Sequence, residues 1–376
     1  MFYKINGLSF VLVFFSTTTL AANPPNWPWH GTVVHSICNP SALASGCVDN
    51  LPADIDTVAA DGANAVLLDL KIAFYMQRNP GTDKGEAIDE SINWLDSMLD
   101  RCAANGITCI VRNRSFPLEP GQGYTQTSAT FWDDPDKLVE AYELLVKLTE
   151  RLGNRNTELG AYSIIPDPAY KTIGGIIEPP NYKQFVSNLL KIIEDHDQGR
   201  HLVVGLGPNA QTKNYTGANP LPHDNLIYAV RFYTPFCFTH QGLGKRPLRD
   251  KAYPTTQPLV CAGNNVFDSQ LLQNQIQPVI DFSIRNKALI WVDEFGSVRY
   301  GRGSDQYISD LIDLFNSIGF SWTYFNGPGS NQGMWSYDTL NINDSVPVWW
   351  SQAIIDQWNS SGQGPNGRHT ILQTSW

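Results

Sequence analysis

Basic residues are scarce in this chain: 26 Lys and Arg stand against 36 Asp and Glu, for a net charge of -10 and a pI of about 5.1. That balance disfavours polyanions such as nucleic acid or an anionic membrane as partners, and leaves a neutral polymer acceptable. Long apolar runs are missing after residue 22; no later stretch has 18 consecutive apolar residues, so no membrane partner is expected. No CxxC or Cys/His cluster has zinc spacing, and no metal or cofactor is expected. No G-x-G-x-x-G follows the first strand-like segment, which weakens an open dinucleotide-binding sheet. Internal repeats, low-complexity blocks and interdomain linkers are also lacking, so 376 residues read as one large domain.

What is present begins with an address. Lys4 precedes the apolar run 8–15, too short to span a bilayer, and Thr19-Leu20-Ala21-Ala22 supplies a cleavage site. Residues 1–22 are therefore expected to be a signal peptide and the protein to be secreted, with a barrel over 23–360 and a tail over 361–376. Six cysteines fall into three close pairs, Cys38/Cys47, Cys102/Cys109 and Cys237/Cys261, so neighbour bridging is preferred among fifteen possible pairings. Sequons start at Asn113, Asn214, Asn343 and Asn359; the first lies at a predicted strand end, where a glycan would be awkward.

Short Val- and Ile-rich runs at 31–36, 65–70, 108–112, 162–165, 201–206, 226–233, 288–294 and 320–325 predict eight strands. They do not alternate polar with apolar, as expected of parallel strands covered on both faces. Helical periodicity fills 87–105, 138–152, 182–194, 271–285, 306–318 and 347–358. Eight β-then-α units predict an α/β fold, a single-domain (β/α)8 TIM barrel. The long segments 113–135 and 234–268 follow strand C-termini, the face on which such barrels build their clefts.

Two of these strands end in acids. Leu289-Ile-Trp-Val-Asp-Glu294-Phe-Gly296 puts Glu294 at the barrel mouth, with Asp293 expected to point away by alternation. Tyr162-Ser-Ile-Ile-Pro166-Asp167-Pro168 clasps Asp167 between prolines, which read alone is turn chemistry. Taken together they offer the carboxylate pair, roughly 5–5.5 Å apart, that retaining glycoside hydrolysis needs. Tyr233 ends the sixth strand, adjacent to the seventh in a barrel, within reach of a carboxylate there. Aromatic residues around the mouth (Tyr124, Trp132, Phe236, Phe238, Trp322) suit sugar faces or plain packing equally.

These segments, with Gly62-Ala-Asn-Ala-Val66 and the run from Tyr228 through Arg231, Tyr233, Pro235 and His240 to Gly242, resemble glycoside hydrolase family 5, the family of many cellulases and mannanases. The order and spacing match to about residue 358. The resemblance implies Glu294 as nucleophile, Tyr233 as the tyrosine beside it and Asp167 as acid/base. It further implies a substrate-binding set of Tyr233, Arg231, Trp322, Phe325, Asn113, Trp132 and His240, with an oligosaccharide or polysaccharide as partner, no cofactor and a monomer. The chain departs from the family pattern at several points. Asp167 replaces Glu and reaches about 1.5 Å less; Pro166 replaces the preceding Asn; Arg231 replaces a His; Leu67 stands where an Arg is usual. No His occurs between His35 and His196, so the third-strand His is missing. Arg231 could ionise Glu294 or bind an anionic sugar, and Asn113 and Arg114 could supply lost polar contacts. Three functions follow: an active retaining β-glycosidase of glucan or mannan, a carbohydrate-binding barrel without turnover, and a secreted structural protein with no sugar site.

Overall fold

The computed structural model describes residues 23–36, 49–116, 118–119, 129–241, 251–298 and 301–325. The segment 1–22, Cys38 and Cys47, Tyr124, the sequons at Asn343 and Asn359, the helix expected at 347–358 and the tail 361–376 lie outside the described residues.

Among the described residues eight strands form the barrel: β1 (His30–His35), β2 (Ala65–Leu70), β3 (Thr108–Asn113), β4 (Leu159–Ile164), β5 (His201–Gly205), β6 (Leu226–Phe232), β7 (Leu289–Phe295) and β8 (Ser321–Tyr324). Each pairs in parallel with its sequence neighbours, and β1 pairs with β8 to close the cylinder. The expected (β/α)8 barrel is the observed fold, and the open sheet is not. Helices on the outside are α1 (Pro52–Ala60), α2 (Ile72–Arg78), α3 (Lys84–Asn105), α4 (Ala129–Trp132), α5 (Pro135–Leu152), α6 (Tyr182–His196), α7 (Phe236–Thr239), α8 (Ser269–Asn286) and α9 (Ser304–Ser317). The sequence punctuates them clearly. Asp83, Asp134 and Asp268 cap α3, α5 and α8 by accepting backbone N–H bonds, each worth about 1 kcal/mol, and Gly106 ends α3 at a φ of 66°.

Because both faces of every strand are covered, alternation sorts residues into two cores. Alternate positions on each strand, such as Val33, Leu67, Ile110, Ala161, Val203, Ala229 and Trp291, fill the cylinder, while Val34, Leu68, Val111, Tyr162 and Val204 pack under the helices. Trp29 plugs the N-terminal end of the cylinder, with its ring 5.4 Å from that of Trp291. Gly160 makes room for it: a Cβ there would sit 2.6 Å from the Trp29 ring. The bottom is thus sealed by aromatics, and the polar side chains collect at the other end.

Cys102–Cys109 and Cys237–Cys261 form as neighbour pairing anticipates. The first ties the end of α3 to β3, and the second pins α7, just past β6, to the segment before α8. Asn113 is fully buried, so its sequon cannot carry a glycan in the folded chain. Asn214 spends its amide nitrogen on the carbonyls of Leu206 and Pro208.

Candidate active site

At the C-terminal end, the inward positions of the strands stop being apolar. His35 of β1, Asp69 of β2 and Lys71 just after it, Arg112 of β3 and Arg114 just after it, Arg231 of β6, and Asp293 and Glu294 of β7 form one buried ring of charge, joined by Asp167 from the β4 loop. Taking so many charges out of water is tolerable only because opposite charges alternate around the ring.

Glu294 is the hub. Its Oε1 accepts from Arg112 Nη1 at 2.8 Å and Arg231 Nη2 at 3.2 Å, and lies 2.9 Å from Arg114 Nη1. Its Oε2 accepts from the Tyr233 hydroxyl at 3.3 Å. Burial pushes the carboxyl up, but Arg114, Arg231 and Arg112 together outweigh it and hold the group at about 2. Glu294 is therefore ionised throughout the neutral range. Arg112 also donates from Nε to Asp69 Oδ1 at 2.9 Å, and His35 Nδ1 lies 3.1 Å from Asp69 Oδ2. Burial and then Lys71 lower the His35 imidazole to about 4, so the ring is neutral there.

Asp167 is wholly buried, with Oδ2 paired to Arg231 Nη1 and 3.9 Å from Arg114 Nη1. Here burial wins over the guanidinium groups, and the carboxyl is raised above its ordinary value. Its position is built by the backbone. Ile165 adopts φ 51°, a left-handed conformation that costs a β-branched residue on the order of 1–3 kcal/mol, and donates its N–H to the Asn113 carbonyl. Gly205 at the end of β5 lets the Pro166 carbonyl approach; a Cβ there would lie 2.0 Å from that oxygen. The Pro-Asp-Pro segment is both a turn and the carrier of an inward acid.

Asp293 does not point away as alternation predicted. Between Trp291 and Glu294, β7 carries one residue more than β6 does between Ala229 and Arg231, and one more against β8. This bulge breaks the period of two, so that neighbouring acids both enter the barrel. Asp293 is fully buried, its Oδ2 is 3.7 Å from Arg112 Nη1, and burial pushes it up to about 7.

The remaining expected contacts divide. Tyr233 and Arg231 touch Glu294, as described. Phe325, following β8, is half-buried at the open end, with its ring 6.0 Å from His35. His240 stacks on Phe236 at 3.6 Å and lies 5.2 Å from the Tyr233 ring, beside the site without reaching its carboxylates. Trp322, Trp132 and Asn113 lie away from the cluster of acids. Trp322 has outward parity on β8, is fully buried, and donates Nε1 to Asn316 of α9. Trp132 is packed among Phe131, Tyr182 and Phe185, and donates to the Ala169 carbonyl. Asn113 shares the outward face of Val111. Phe238 packs against Phe267 and Tyr307, whereas Phe236 is exposed. Sequence reasoning missed Asp69, His35, Lys71 and Arg112. Their signal was a charge on the inward parity of an otherwise apolar parallel strand, in Leu68-Asp69-Leu70-Lys71 and Val111-Arg112-Asn113-Arg114.

The fold is a closed parallel barrel whose C-terminal mouth holds an acid after β4 and an acid on β7, both within 3.9 Å of Arg114 Nη1. The sequence profile described as Cellulase (glycosyl hydrolase family 5) matches residues 26–330. The chain belongs to that family, and it is a glycosidase. It is 20% identical to Endoglucanase C of Acetivibrio thermocellus over 301 residues, which cover 72% of this chain and 82% of that protein. It is similarly 20% identical to Endoglucanase C307 of Clostridium sp. (strain F1), with the same coverage. The crystal structure of endoglucanase Cel5A from the hyperthermophilic Thermotoga maritima superposes with a TM-score of 0.65 at 14% identity, covering 87% of this chain and 96% of that one. The cellulose synthase subunit Z of Clostridioides difficile has a TM-score of 0.62 at 14% identity, with 87% and 98% covered.

Proposed function

We propose that this chain is a secreted retaining glycosidase that cleaves a β-linked polysaccharide, glucan or mannan, with Glu294 as nucleophile and Asp167 as acid/base. The observation that carries the reading is the opposed tuning of two acids at one barrel mouth: Glu294 is held ionised by three guanidinium groups, and Asp167 is pushed toward its protonated form by burial. Environments that drive two carboxyl groups apart in this way divide the labour of nucleophile and acid. Both acids lie within 3.9 Å of one nitrogen, Arg114 Nη1, which is compatible with the roughly 5–5.5 Å spacing of retaining pairs. Relatives named endoglucanases, and Thermotoga maritima Cel5A structures in complex with cellobiose and with mannotriose, support the substrate class. Disulfides within the fold support an oxidising compartment.

In the first step Asp167 gives its proton to the glycosidic oxygen as the bond to the anomeric carbon breaks, and Glu294 forms an ester to that carbon. Oε2, which among the described residues accepts only from the Tyr233 hydroxyl, is the attacking oxygen, while Oε1 stays anchored on Arg112, Arg114 and Arg231. Asp167 then takes a proton from water as the water oxygen displaces Glu294, returning both acids to their starting states.

Replacing Asp167 with Asn tests the assignment. Hydrolysis of unactivated β-glucan or mannan should fall by about 10²-fold or more, dinitrophenyl glycosides should suffer far less, and added azide should give a glycosyl azide of retained configuration. Equal losses on both leaving groups, with no azide product, would refute Asp167 as the acid. Binding without turnover is the competing reading, and one contact favours it: Arg231 pairs with Asp167 and Glu294 at once.

A further inference from the structure

The bulge in β7 brings into the barrel a third acid that the two-carboxylate scheme does not use. Asp293 is fully buried, and neither of its side-chain oxygens has a hydrogen-bond partner among the described residues. A polar group kept inside without partners is costly, and such groups collect where function needs them. Its Oδ2 lies 3.7 Å from Arg112 Nη1, the nitrogen that donates to Glu294 Oε1 at 2.8 Å. Two consecutive acids therefore address one guanidinium nitrogen, Glu294 in contact and Asp293 just behind it.

On the hydrolytic reading above, on which this inference rests, Glu294 loses its charge when it forms the ester. Arg112 is fully buried, its Nε donates to Asp69, and its Nη2 has no hydrogen-bond partner among the described residues. Esterification thus strips Nη1 of the carboxylate in contact with it, and a buried cation needs a counter-charge. Asp293 is the acid already facing that nitrogen. Burial is the strongest influence on its proton and holds it in place; Arg231 on β6 works against burial, Glu294 with it, Arg112 on β3 against it and Asp167 with it. The Tyr233 and Tyr215 hydroxyls also feel its charge. From β8 comes no charge, only the Thr323 hydroxyl, which donates to the Asp293 main-chain carbonyl. Asp167 gains a charge in the step in which Glu294 loses one, but Glu294 acts on Asp293 the more strongly.

We propose that Asp293 is a positioning residue for the covalent step: as Glu294 becomes an ester, Asp293 gives its proton to solvent and its carboxylate takes over Arg112 Nη1. The bond from the anomeric carbon to the glycosidic oxygen breaks as before, with the proton of Asp167 going to that oxygen. When water releases the sugar, Glu294 regains its charge and Asp293 takes a proton back from solvent, so the turnover balances. Arg112 keeps its place and a counter-charge throughout the cycle.

The full chain, isotopically labelled at its aspartate carboxyl carbons, tests this by NMR titration. The Asp293 resonance is assigned by its loss in Asp293→Asn or, if that variant does not fold, in Asp293→Glu. Glu294→Gln makes the nucleophile neutral, as the ester does. In that variant Asp293 should become about 10-fold or more stronger as an acid than in the wild type, where it ionises at about 7. Ionisation at the wild-type pH or above it in Glu294→Gln would overturn the inference. Trapping supplies a second arm. Asp167→Asn protein is labelled at about pH 6, in weak buffer with an indicator dye, by a 2-deoxy-2-fluoro dinitrophenyl glycoside whose leaving group departs without a proton. Each sugar bound should release a large fraction of one proton, and adding Asp293→Asn should abolish the release. A label counted by intact mass with no proton released would likewise overturn the inference. No label at all would sink the hydrolytic reading, and the titration would still decide the role of Asp293.

Discussion

Arg112 is the residue on which the ring of charge hinges. Buried completely, it joins Asp69 on β2 to Glu294 on β7 and faces Asp293 as well. Removing one partner of a buried pair strands the others, so Arg112→Met should cost about 3–5 kcal/mol in urea unfolding, more than an exposed arginine would. It should also lift the Glu294 carboxyl from about 2, and a variant of wild-type stability would contradict the role given to it. The acids make stability depend on pH in opposite ways. Asp293 rises from 3.8 in the unfolded chain to about 7, so its contribution is full below 3.8 and is lost as pH climbs through 7. Glu294 falls from 4.5 to about 2, so its contribution is full above 4.5 and is lost as pH drops toward 2. Because buried His35, lowered to about 4, adds stability in the opposite sense as pH rises, the test is the difference between variants: the wild-type urea midpoint should fall relative to that of Asp293→Asn as pH climbs from 3.8 through 7. A difference between the two midpoints that stays constant from pH 4 to pH 8 would show that Asp293 is not the buried, raised acid described.

Among the elements, β4 and β7 position the chemistry by departing from regular strand geometry. The bulge in β7 turns consecutive acids into one cavity, and Gly205 on β5 lets the Pro166 carbonyl lie against the barrel so that Asp167 points in. Gly205→Ala must push Pro166 and Asp167 aside. Displacing a reacting group by about 1 Å can cost about 10²-fold. We expect a loss of that order in kcat/KM on substrates that need a proton donor, and little change on dinitrophenyl glycosides; an equal loss on both would point to general unfolding instead. The strands themselves were readable because both faces are covered and the runs are continuously apolar, and the helices because their apolar positions recur at helical spacing. Which neighbour of Glu294 enters the barrel was not readable, since alternation is a rule of regular strands and a bulge leaves no residue-type signature here. Trp322 shows a related limit. An aromatic near a strand end has the same composition whether it faces sugar or helix, and only parity distinguishes the two: Phe325 falls on the inner face, and Trp322 on the outer.

At the scale of the whole molecule, a barrel sealed at one end by Trp29 and lined at the other by alternating charges gives two acids different fates within one cavity. The central claim is that Glu294 is the atom source for a covalent bond to the sugar. Incubation with a mechanism-based 2-deoxy-2-fluoro glycoside bearing a dinitrophenyl leaving group tests it directly by intact mass and peptide mapping. The account predicts one fluoro-sugar per chain, on the peptide containing Glu294, and none on Glu294→Gln. A sugar attached to Asp293 or Asp167, or turnover of polysaccharide with no label on any carboxylate, would contradict it.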